Sequence, residues 1–107
     1  MSNPWRGEVE LDINGEARVM RLTLGALAEL EAQLGETTIV DLVARFETGK
    51  TSAQDVMALI VAGLRGGGWN VTAEDLVSAE IAGGITGAAK AAAKLLARAF
   101  VVPGAAA

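Results

Sequence analysis

The 107 residues contain no His, Cys or Tyr. Imidazole acid–base catalysis, nucleophilic triads and thiolate chemistry are therefore absent, together with the imidazole and thiolate ligands that transition metals prefer. Carboxylates and hydroxyls are what remain. Glu8, Glu10 and Asp12 alternate along one run, which sets successive carboxylates about 7 Å apart on one strand face. That spacing is too wide for a shared proton and would suit only a loosely held divalent cation. The solvated face of a half-buried strand accounts for it without a ligand. No metal, no cofactor and no catalytic residue is assigned, and the chain is read as non-enzymatic.

Two other patterns imitate known sites. The run Leu64-Arg65-Gly66-Gly67-Gly68 has the glycine content of a phosphate-cradling loop. Such a loop follows a strand and leads a Lys-Ser/Thr pair into a helix, whereas this one follows a helical pattern and leads Trp69-Asn70. A helix stop and turn fits better. The helical patterns on either side, the second expected over Ala73 to Ala82, also imitate a helix-turn-helix. That second helix carries Glu74, Asp75 and Glu80 and no Lys or Arg, so it would repel phosphates. A DNA-binding regulator is the most distant functional reading, and no nucleic acid is expected as partner.

Net charge is −4, and it is uneven: residues 1–84 hold six basic and thirteen acidic groups, while residues 85–107 hold three basic groups and no acid. The longest apolar stretch is broken by Lys90, Lys94 and Arg98, so neither a membrane span nor a secretory leader is visible. The absence of cysteine suits the cytosol. The length fits one domain over 1–107. Hydrophobic residues make up 51% but aromatics only 4%, so the core must be aliphatic and alanine-filled, with Trp5, Phe46, Trp69 and Phe100 as its large pieces. Trp69 is assigned to the core; Trp5 is either a core plug or a binding anchor.

The elements that must position these residues begin with a β-hairpin. Alternating runs Glu8–Ile13 and Ala17–Thr23 flank Asn14-Gly15, the dipeptide suited to positive φ at a hairpin tip. A three-residue loop is preferred, pairing Ile13 with Ala17, Leu11 with Val19 and Asp12 with Arg18. Thr23 then caps a helix over 24–34 with Leu24, Leu27, Leu30 and Leu34 as its stripe, Leu27 facing the hairpin. Thr38 with Asp41, Ser52 with Asp55 and Thr72 with Asp75 are capping boxes opening three more helices, and Val71 is placed to staple against Leu76. After Gly83-Gly84 comes an alanine-rich helix from about Ile85 to Val101. Its stripe is Ile85, Ala88, Ala89, Ala92, Leu95, Leu96, Ala99 and Phe100, and Lys90, Lys94 and Arg98 occupy another face. Residues 1–4 and 103–107 are expected to lack order. The fold class is α+β: an N-terminal β-hairpin packed with about five short helices.

Arg6-Gly7-Glu8-Val9, the run Leu22 to Glu31, the segment Ala62-Gly63-Leu64-Arg65, and the Val71-Thr72 helix start before a glycine-broken C-terminal helix are similar, as an ordered set, to the gene-transfer-agent tail proteins of alphaproteobacteria. These are labelled phage tail tube or tail assembly chaperone proteins. The resemblance covers most of the chain and brings no catalytic residue. It implies a part in tail morphogenesis of a phage-like particle, in the bacterial cytoplasm during assembly or in the tail of the particle. A tube subunit needs enough strands to build a continuous inner barrel, and only two are legible. An assembly chaperone or adaptor is therefore expected, holding the tape-measure protein and tail tube subunits; a tube or tube-end subunit is the alternative, and a homo-oligomer is compatible with either. On this reading Leu95, Leu96 and Phe100 make the apolar contact, Lys90, Lys94 and Arg98 orient an acidic partner segment, and Trp5 is the other candidate anchor. Reversing all three charges should then spare the fold.

Overall fold

The computed structural model describes residues 7–99. Trp5, Phe100 and the terminal segments 1–4 and 103–107 lie outside them. The chain is α+β. A hairpin of β1 (Glu8–Ile13) and β2 (Glu16–Arg21) leads into α1 (Leu24–Leu34), α2 (Ile39–Thr48), α3 (Ala53–Gly66), α4 (Ala73–Val77) and α5 (Gly84–Ala99).

The hairpin register differs from the preferred one. Ile13 pairs with Glu16, Leu11 with Arg18 and Val9 with Met20, so the loop has two residues. Asn14 at φ 54° and Gly15 at φ 83° are both left-handed, as a type I′ turn requires, and this turn matches the natural twist of paired strands. The shift moves Arg18 onto the face that carries Leu11. Its guanidinium stacks 4.1 Å from the centroid of the half-buried Trp69 ring, with Glu16 at 2.8 Å. Trp69 packs against the core, as its sequence context predicts. Glu10 and Asp12 point to solvent on the opposite face.

Helix α3 is the centre of the molecule. Its stretch Val56–Leu64 has no charge and is buried nearly all round, with Leu59 and Leu64 at 0% exposure, as expected of a helix packed on several sides. Helices α1, α4 and α5 and strand β2 pack on it. The three caps form: Thr23 Oγ1 accepts from the Ala26 N–H, and the Thr38/Asp41 and Ser52/Asp55 boxes are complete. In the fourth, the Asp75 carboxylate accepts from both the N–H and the hydroxyl of Thr72. Val71 and Leu76 are both buried beside it.

Three helical expectations are corrected. Helix α1 docks on α3 rather than on the hairpin, so its buried line runs through Ala26 and Leu30. Leu27 is half-buried beside that line. Leu24, roughly a third of a turn from it, is 84% exposed. Helix α4 stops at Val77 instead of Ala82 because the following segment is drawn to β1: Ile13 bridges Ile81, the Ala82 N–H donates to the Asp12 carbonyl and the Asn14 N–H to that of Glu80. Five residues cannot serve as a recognition helix. Ile85, expected in the α5 stripe, is 64% exposed because it lies in the first turn, where the buried line begins only at Ala88.

Candidate interaction surface

An open apolar groove of about 600 Å³ runs between α2 and α5, lined by Ile39, Val40, Val43, Phe46 and Glu47 on one side and Ala93, Leu96 and Ala97 on the other. Its existence follows from how the two helices are placed. Helix α5 buries Ala88, Ala91, Ala92, Leu95 and Leu96 against β1 and α3. By helical periodicity Ala93 and Ala97 lie beyond Leu96, on the side of α5 turned away from that buried face, and both are exposed. Helix α2 has one fully buried side chain, Leu42; Ile39, Val43 and Phe46 are only half covered. The alanines of α5 are too small to close the space, and Val40 stands 76% exposed at the edge.

A polar joint fixes α2 to α3. Asp55 is 6% exposed. Its two carboxylate oxygens accept from Arg45 Nη1 at 3.1 and 3.2 Å, and Oδ2 also accepts the Ser52 N–H at 3.1 Å. Arg45 in turn reaches the Thr37 hydroxyl at 3.4 Å. A charge-assisted pair at a nearly buried carboxylate is directional, so it sets where the groove's α2 wall stands. The sequence offers Asp55 only as a helix cap, and the partnership with Arg45 appears only in three dimensions.

The predicted contact residues separate into distinct environments. Leu95 is fully buried in the core, and Leu96 is 4% exposed at the floor of the groove. Lys90 and Lys94 are exposed. Arg98 is turned inward: its Nη1 donates to the Glu8 carbonyl at 2.6 Å. Phe100 and Trp5 lie outside the described residues. The groove residues on α2 read in the sequence only as a packing face, although Val40 is a signal of more: it widens the apolar arc of Ile39, Leu42, Val43 and Phe46 beyond what one packing face needs.

The sheet has little open edge. On β1, residues 80–82 cover Asp12 to Asn14 and Arg98 takes the Glu8 carbonyl. On β2, the outward carbonyls of Val19 and Arg21 lie so close to Gly67 and Gly66 that a Cβ at either glycine would overlap them. Among the described residues no helix is long and apolar enough to cross a membrane, and no group of three or more carboxylates could hold a metal ion.

Over residues 6–101 the chain matches the family described as phage tail tube protein, GTA-gp10. It belongs to that family, which makes it a phage tail protein of the gene-transfer-agent type. Such a protein works in contact with other tail proteins. No curated protein and no solved structure matches the chain.

Proposed function

We propose that this tail protein is an assembly chaperone or adaptor, which holds the tape-measure protein and tail tube subunits during tail morphogenesis. The observation that carries this reading is the hairpin: two strands with their edges blunted by residues 80–82, Arg98 and Gly66-Gly67. A tube wall is a sheet continued from subunit to subunit and requires free, pairable edges. The unfilled apolar groove supports the same reading, since monomers seldom leave large apolar surface open without a use for it. The second reading, a tube or tube-end subunit retained in the particle, is favoured by the family's description.

Quantitative mass spectrometry of producing cells and of purified particles separates the two. An adaptor is abundant in the cells and absent, or far below the other tail proteins, in particles. Presence in particles at a stoichiometry matching the tube subunits would overturn the adaptor reading.

A further inference from the structure

The α2–α5 groove is lined by apolar side chains, with Glu47 as its one charged lining residue. Lys90 and Lys94 are exposed, four residues apart, on the flank of α5 that adjoins Ala93 and Ala97. Neither has an ion-pair partner among the described residues. No acid occurs anywhere between residues 81 and 107, so α5 cannot neutralise them itself. Glu47 stands at the opposite wall.

Resting on the adaptor reading, we propose that this groove takes one amphipathic helix of another tail protein, apolar at i, i+3 or i+4 and i+7, with two carboxylates four residues apart meeting Lys90 and Lys94. A helix fits for a physical reason. The walls are side chains of two helices and offer no backbone hydrogen bonds, so an extended segment would bury unsatisfied amides against Val43, Phe46 and Leu96, whereas a helix satisfies its own. The dimensions agree: from Ile39 to Glu47 the wall runs about 12 Å, and three anchors from i to i+7 span about 10.5 Å. Carboxylates at four-residue spacing match the spacing of the lysines. A second copy of this chain fits less well. Among the described residues its large exposed apolar side chains beyond the groove, Leu24, Val77 and Ile85, lie on three different helices and form no row of anchors.

The test places a photo-crosslinking benzophenone amino acid at Val40 or Ala93, both exposed, in producing cells, with Val77 as the control position, and maps the captured peptide by mass spectrometry. The expected product is a segment of a different tail protein with the stated pattern. In lysate at low ionic strength, Lys90→Glu with Lys94→Glu should lower its yield at least fivefold while Tm stays unchanged, since exposed charges steer encounter. A captured peptide from a second copy or from residues 100–107 would overturn the proposal; so would capture insensitive to the lysines, or capture at Val77 alone. The two readings fail separately. The expected crosslink found within purified particles would overturn the adaptor reading and leave the groove assignment standing, while a protein confined to cells with no groove crosslink would do the reverse.

Discussion

Gly63 sits where α3, α5 and β2 meet, and replacing it with alanine tests the packing of the whole molecule. In an exposed helix the change would stabilise by about 1 kcal/mol through helix propensity. Here a Cβ would overlap Leu95 Cδ2 and come within 3.0 Å of Met20 Cβ. Leu95 and Met20 are both at 0% exposure, so the Leu95 methyl has no free space to rotate into, and Met20 Cβ is fixed by its strand. Relief requires shifting α5 or β2 against α3. Overpacking of this kind costs about 1–3 kcal/mol, and contact with a strand-bound Cβ argues for the upper half. Set against the propensity gain, the net loss should be about 1–2 kcal/mol. For a domain of this size that lowers Tm by roughly 4–16 °C. Gly25→Ala is the internal control: it lies in the first turn of α1, is exposed, and its Cβ would meet only Thr23 Oγ1 at 3.9 Å. It should be neutral or stabilise by up to about 1 kcal/mol. Thermal and urea unfolding of both variants decide the matter. If Gly63→Ala is as stable as the parent while Gly25→Ala behaves as stated, α5 does not pack on α3 at this point, and the groove it forms with α2 loses its basis.

Three further outcomes are expected. Leu30→Ala should cost about 2–5 kcal/mol, as a fully buried leucine does, and Leu27→Ala clearly less; equal costs would place α1 in a different rotation on α3. Arg98→Ala should lose about 1.5–3 kcal/mol through the charge-assisted bond to the Glu8 carbonyl, whereas Lys90→Glu and Lys94→Glu should each change stability by no more than about 0.5 kcal/mol. Reversal of all three charges is therefore expected to destabilise through Arg98 alone, and an unaffected urea midpoint for Arg98→Ala would remove its structural role. Duplex DNA should not be retained at physiological salt in a gel-shift assay, because α4, the short helix that follows the glycine run, presents Glu74 and Asp75; submicromolar retention weakening steeply with salt would revive nucleic-acid binding.

Local rules made much of this fold legible before any coordinates. Three capping boxes, the Val71–Leu76 staple and the position of the Asn14-Gly15 turn depend on neighbours within five residues, so the sequence carries them. The family likeness rests on the same ordered set of elements. The outward placement of Glu10 and Asp12 follows from alternation alone, and the lack of His, Cys and Tyr bounds the chemistry of the chain without any fold.

What tertiary structure decided are the matters that depend on which element lies across from which. Turn conformation set the hairpin register and with it the place of Arg18 over Trp69. The proximity of α3 selected Ala26 and Leu30 over Leu24 as the buried line of α1, a choice that an apolar spacing of three and four cannot make. The pull of β1 on residues 80–82 ended α4 early, against a pattern that reads as helix to Ala82. The Arg45–Asp55 joint spans ten residues and the Arg98–Glu8 bond ninety, and neither leaves a trace in local periodicity. The groove belongs to the same class. Its α2 and α5 walls each look like ordinary amphipathic helix in isolation, and only their separation, set by small alanines on one side and an ion pair to the buried Asp55 carboxylate on the other, leaves an apolar surface open between them.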